Sequence, residues 1–339
     1  GLAHNGHWDG TDTQLRYFYE DIDLMDNSQL NGAIAEVQQQ NHTLDGQLTH
    51  QLGNHLLTTG AEVRQTRLEH SMNLTGGDAK SDQQALYLQD EYLLDALTLT
   101  LAGRLDNHDT YGSEFSPRGY ALYNLTDRWI IKGGLGKAFK APSLAQSDGS
   151  YSIKACRGRC VVVGNPDLQP ETAMNYEVGT SYEGDSFGAG LTAFDNQIDD
   201  MIQTESWKTK PGAPVLTYRN VDQARIRGLE FMPWYAITET VNLNGNYTLV
   251  KAKDETTGQD LLQTPEHTAN LTLDWQWRSN LDFYTRYQYT GSQYLYVASA
   301  NANQKSDAFN TLDAGINYAP ITPLTLKFGL NNLTNTKRD

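Results

Sequence analysis

Apolar and polar residues alternate with period two in stretch after stretch of this chain, and no apolar run reaches the roughly 18 residues of a membrane-spanning helix. In 97–106, Leu97, Leu99, Leu101 and Leu105 alternate with Thr98, Thr100, Ala102, Arg104 and Asp106. The pattern returns in 269–277 (Ala269, Leu271, Leu273, Trp275, Trp277), 281–289 (Leu281, Phe283, Tyr287, Tyr289), 312–318 (Leu312, Ala314, Ile316, Tyr318) and 324–331 (Leu324, Leu326, Phe328, Leu330). Such segments are strands with one apolar and one polar face. Alternation alone does not say which face is wet, because a soluble sandwich turns its apolar face inward and a membrane barrel turns it out.

The connections break that tie. Short turns (Gly53-Asn54, Leu94-Asp95-Ala96, Gly184-Asp185-Ser186, Ser279-Asn280) alternate with long polar segments at 22–41, 70–81, 139–170, 200–222, 252–266 and 291–308. Outer-membrane barrels pair tight periplasmic turns with large extracellular loops in this way. Tyr92, Tyr123, Tyr182, Trp234, Trp275, Trp277 and Tyr318 lie beside the short turns, where an interfacial girdle belongs. Segment counting predicts an all-β, antiparallel transmembrane β-barrel wall of roughly sixteen strands, each about ten residues or longer, with no interdomain linker in 1–339.

Composition narrows the function. The chain has 339 residues, 29 Gly, 19 Tyr and a formal charge of −15, which argues against a phosphate groove for nucleic acid. The eight His are scattered, and there is neither a Gly-x-Ser-x-Gly elbow nor a phosphate loop, so catalysis is not expected. The two cysteines, Cys156 and Cys160, bracket Arg157 and Arg159. Two thiolates without further Cys or His are an incomplete metal set, so the pair is read as a disulfide with a metal site as the alternative. The opening Gly1-Leu2-Ala3-His4 shows no initiator Met and no signal peptide, and the chain reads as a piece of something longer.

In order along the chain, "GGLGKAFKAPSL" (133–144), "CRGRC" (156–160), "GNPDLQPETAMNYEVG" (164–179), "FDNQIDDMI" (194–202), "ARIRGLEF" (224–231), "LNGNYTLVKAKD" (243–254), "TPEHTANLTLDW" (264–275) and "LKFGLNNLTN" (326–335) resemble the barrel of TonB-dependent outer-membrane receptors. Within that family the motifs resemble those of the ferric catecholate-siderophore and colicin I receptors. The resemblance implies a barrel of about 22 strands filled by an N-terminal plug. It also implies energy from a TonB–ExbB–ExbD complex, the outer membrane of a Gram-negative bacterium as location, and a ferric siderophore as transported ligand. No protein-held cofactor or metal follows from it. The plug and TonB box are not in the chain, which corresponds to roughly strands 6–21 of such a barrel.

Ferric tris-catecholates are anionic and ringed, and guanidinium groups pair with oxyanions and stack on rings. Tyr151, Lys154, Arg157 and Arg159 are therefore the first binding candidates, with Trp207, Lys208, Tyr294 and Tyr296 in neighbouring loops behind them. The alternative for these cations is a solvated loop or contact with lipopolysaccharide phosphates. Glu62, Arg64, Arg104, Asp106, Glu177, Glu230, Asp274, Asp282, Arg286, Asp313 and Lys327 lie on polar faces and would each cost a few kcal/mol against lipid, so they are expected to face the lumen and a plug. A porin-like channel is the competing function, as is a related receptor for haem or cobalamin; bacteriocins or phage are further possible users of the loops.

Overall fold

The computed structural model describes residues 1–26, 34–72, 74, 76–155, 160–210, 213–297 and 302–337. Strands β1 (Leu2–Trp8), β2 (Thr11–Asp26), β3 (Ala35–Leu52), β4 (His55–His70), β5 (Asp78–Leu94), β6 (Leu97–His108), β7 (Gly112–Thr126) and β8 (Trp129–Lys140) pair in succession, all antiparallel. A loop follows that holds the one-turn helix α1 (Leu144–Ser147) and a small hairpin of β9 (Ser152–Ala155) and β10 (Cys160–Val163). The meander resumes on β8 with β11 (Glu171–Glu183) and continues through β12 (Phe187–Lys210), β13 (Ala213–Thr238), β14 (Val241–Asp254), β15 (His267–Arg278) and β16 (Leu281–Thr290). A second small hairpin, β17 (Gln293–Val297) with β18 (Ala302–Ser306), precedes β19 (Phe309–Ile321) and β20 (Leu324–Leu330).

Of these twenty strands, the four in small hairpins leave sixteen in one up-and-down wall, the number that segment counting anticipates. Among the described residues, β1 pairs only with β2 and β20 only with β19, so the wall has two edges.

One end of the wall carries only tight turns: 9–10, 53–54, 95–96, 127–128, 184–186, 239–240, 279–280 and 322–323. The other end carries the long connections. Two of the polar segments read as loops are largely strand, because β2 runs to Asp26, β3 starts at Ala35, β12 runs to Lys210 and β13 starts at Ala213. Above the membrane both faces of a strand can be polar, so alternation fades while ladder hydrogen bonds continue.

Side-chain exposure settles which face is which. Leu86, Leu88, Leu101, Val178, Phe231, Leu271 and Phe328 stand exposed on the outer face, whereas the charged positions between them turn toward the lumen. An apolar exterior is stable only against lipid. On β13 the outward residues from Leu229 to Ile237 span roughly 27 Å of strand, or about 20 Å at the usual barrel tilt.

Six of the seven aromatics placed in the girdle share this outer face. Tyr92 stacks on His55 at 4.4 Å, and Phe283 lies against Trp275 and Trp277 at 5.5 and 6.0 Å. Trp234 is the exception. It shares the face of Glu230, and its Nε1 donates to Glu183 Oε2 at 3.2 Å; Tyr235, the next residue, takes the outer position. Strand parity, which proximity to a turn does not reveal, decides the matter.

On the lumenal face, five rings lie over glycines directly opposite them: Tyr87 over Gly60, Tyr120 over Gly134, Phe194 over Gly228, Trp234 over Gly188 and Tyr284 over Gly315. A Cβ built at Gly60 would stand 2.3 Å from the Tyr87 hydroxyl oxygen, so no larger residue fits beneath the ring.

Candidate functional site

The connection from β8 to β11 forms a shaped cover at the mouth. Pro142 ends the preceding strand, and Ser143 caps α1: its Oγ accepts from the Gln146 backbone N–H at 3.3 Å, while Gln146 Oε1 accepts from the Ser143 N–H at 2.9 Å. Beyond α1, Tyr151 is buried with Leu68 of β4 and Leu74 of the β4–β5 connection, and Leu144 and Ile153 pack against them. On its other side the loop is stitched to β13. Strand β10 lies parallel to it with Val161 opposite Val215, and Cys160 and Val162 are buried with Leu216. Asn165 Nδ2 donates to the Tyr218 carbonyl at 2.9 Å, and Asn220 exchanges two 2.9 Å bonds with the backbone of Gln169.

Beneath this cover lies a cavity of about 620 Å³, lined on the wall by Arg64, Gln83, His108 and Lys140 and on the loop by Pro142 and Ser143. Burial at the loop's anchor pushes the Tyr218 hydroxyl above its ordinary value. At the head of the β14–β15 connection, burial raises the Asp254 carboxyl. Hydrogen bonds from Thr257 and Thr256 outweigh that and hold it below the usual range.

Lys154 sits on β9 opposite Val161, half-buried. Cys156, Arg157 and Arg159 lie outside the described residues. The Tyr151 ring is spent on packing: it meets His70 edge-on at 5.5 Å inside the loop's own core, so it is not presented as a ligand-facing aromatic. Trp207 and Lys208 fall on β12 and Tyr296 on β17, with their side chains outside the described residues. Tyr294, also on β17, is half-buried, and its carbonyl accepts from the Gln263 N–H at 2.8 Å.

The lumen-side charges fall into separate groups along the wall. Arg104 reaches Glu62 at 3.2 Å and Asp106 at 3.0 Å, and Arg64 also meets Glu62 at 3.2 Å. Two members of this group escape the sequence reading. Asp45 is only 5% exposed and receives Arg16 Nε at 2.7 Å, with the Tyr87 hydroxyl 3.4 Å away. Register is the signal that could have found them, since Arg16, Asp45 and Glu62 stand in one cross-strand row. Glu177 and Glu230 line a second cavity of about 520 Å³ with Arg118, Tyr120 and Lys137, the last of which pairs with Glu114. Asp274 and Asp282 flank Tyr284 in a third, Arg286 stands opposite Asp313, and Lys327 occupies the edge strand β20.

Residues 1–333 match the family model "TonB dependent receptor-like, beta-barrel". The chain belongs to the TonB-dependent receptors. Over 98% of its length it is 30% identical to the iron-regulated outer membrane virulence protein of Vibrio cholerae serotype O1, covering 52% of that protein. It is 31% identical to the ferric enterobactin receptor PirA of Pseudomonas aeruginosa, over 81% of this chain and 43% of the relative. The crystal structure of the siderophore receptor PirA from Pseudomonas aeruginosa superimposes with a TM-score of 0.80 at 27% identity, over 99% of this chain and 60% of the other. The chain thus spans about half the length of the curated relatives it matches. Members of this family are outer-membrane transporters of Gram-negative bacteria rather than enzymes.

Proposed function

We propose that this chain supplies the wall and the capturing mouth of a receptor that imports a ferric siderophore of the catecholate type. The observation that carries this reading is the β8–β11 connection, anchored on β4 and on β13, whose first residues line a polar cavity and which carries the Lys154 hairpin. The relative named as a ferric enterobactin receptor supports the choice of ligand. In this reading a Cys156–Cys160 disulfide sets the hairpin tip, and Arg157 and Arg159 beside Lys154 offer cations to the anionic chelate. The lumenal charges hold a plug by exchangeable polar contacts, and TonB–ExbB–ExbD supplies the energy that rearranges it. Capture must be tight in one state and weak in the next for the ligand to leave.

The test is a titration of the full-length receptor in detergent with ferric enterobactin and with a ferric hydroxamate, followed by Trp fluorescence. Arg157→Ala and Arg159→Ala are each expected to raise the catecholate Kd by about tenfold, the loss of one charge-assisted contact. Equal affinity for the hydroxamate, or indifference to both substitutions, removes the ligand and the site together.

A further inference from the structure

The outer face of β13 and β14 changes character within one step. Phe231 stands opposite Tyr247 and Leu229 opposite Leu249; the next outward pairs are Arg227 with Lys251 and Arg225 with Lys253. Like charges directly opposite across strands repel, so four cations in two adjacent rows need an anion. The wall supplies part of one. Asp195 on β12 stands directly opposite Arg227 but binds Arg225, at 2.9 and 3.1 Å, so one carboxylate serves both arginines, and Lys253 lies 3.5 Å from Asp260. Arg227 and Lys251 are both exposed, and among the described residues neither forms an ion pair.

They cannot fold inward to find a partner either. The opposite face of the same strands is closed by Ala224, Ile226, Val250 and Ala252, packed around Val221 and Leu261.

A second cross-strand cation pair shows what self-neutralisation looks like. On the outer face of β4 and β5, Arg67 stands opposite Lys80. There Arg67 meets Glu69 at 2.9 Å and Asp78 at 3.2 Å, and Lys80 meets Asp78 at 3.5 Å. The β13–β14 block lacks that arrangement in a chain whose net charge is −15.

We propose that Arg227 and Lys251, flanked by Arg225 and Lys253, hold the phosphate of a lipid headgroup in the outer leaflet. The headgroup rests on the cations, and its acyl chains run down over Leu229, Leu249, Phe231 and Tyr247. The position fits a lipid rather than a free anion because the cations border the apolar band directly, with no polar row between.

The experiment uses the full-length receptor in detergent with lipid A as probe and native mass spectrometry as readout. Arg227→Gln combined with Lys251→Gln is expected to weaken lipid A binding by about tenfold or more, one charge-assisted contact per side chain. Arg67→Gln with Lys80→Gln should leave it unchanged, as should an excess of inorganic phosphate. Arg227→Lys should keep most of the affinity, and boiling-dependent gel mobility shows that each variant is folded. Undiminished binding by the β13–β14 variant overturns the proposal. So does an equal loss in the β4–β5 variant, which marks general surface attraction, or displacement by inorganic phosphate, which marks a free-anion site.

Discussion

Along β4, the inward side chains Glu62 and Arg64 are charged, while Leu68, on the same face nearer the mouth, is apolar and buried. On β13 the same change separates Glu230 from Ile226 and Ala224. The lumen wall is thus held by hydrogen-bonded charges, and the mouth by small apolar cores into which the connections fold. Charged contacts in a hydrated lumen can exchange partners with water or with a filling domain at small net cost. Apolar clusters have no substitute partner, so they fix the loops in place. The difference teaches which part of the molecule is built to rearrange and which to stay.

Breaking the mouth should have the largest effect. Leu68→Ala removes the centre of the Tyr151 cluster and is expected to lower the opening free energy of the β8–β11 connection by about 2–5 kcal/mol. Amide hydrogen exchange of Tyr151 and Gly164 reads this directly, and unchanged protection would show that the core does not hold the loop. In the lumen, Arg104→Ala leaves Glu62 and Asp106 facing each other without their shared cation. With Arg104 one-third exposed, the expected cost is smaller, about 1–2 kcal/mol, read as a lowered thermal midpoint of the full-length receptor. A larger loss here than at Leu68 would reverse the comparison. At the tight-turn end, Arg128 and Asp185 pair at 2.8 Å, but both are more than half exposed. Asp185→Ala should therefore leave the thermal midpoint essentially unchanged, and a clear drop would show that the tight-turn end is held by this pair.

Strand number and the facing of the wall were legible because period two is a property of each strand alone. Leu99 and Arg104 declare their faces without reference to any neighbour. What was not legible depended on partners distant in the chain. Tyr151 looked like a ligand-facing ring because it sits in a long polar segment. Its burial comes from Leu68 and Leu74, which no local pattern connects to it. Asp45 and Arg16 went unnoticed because 11–52 is rich in Gln, Asn and His on both faces, and only cross-strand register brings them together with Glu62. Trp234 was misplaced by proximity to a turn, where parity was the relevant quantity.

The five rings lying over their cross-strand glycines bear on the clearance of the lumen. A tyrosine or tryptophan standing upright on the inner face would project several ångströms toward the axis. Tyr87, Tyr120, Phe194, Trp234 and Tyr284 instead occupy the space that a side chain at Gly60, Gly134, Gly228, Gly188 or Gly315 would have filled. The wall keeps large aromatic surfaces, with their ladder-covering bulk, while its bore stays nearly as wide as if those positions were small. Width at these points is therefore set by glycines rather than by the rings themselves.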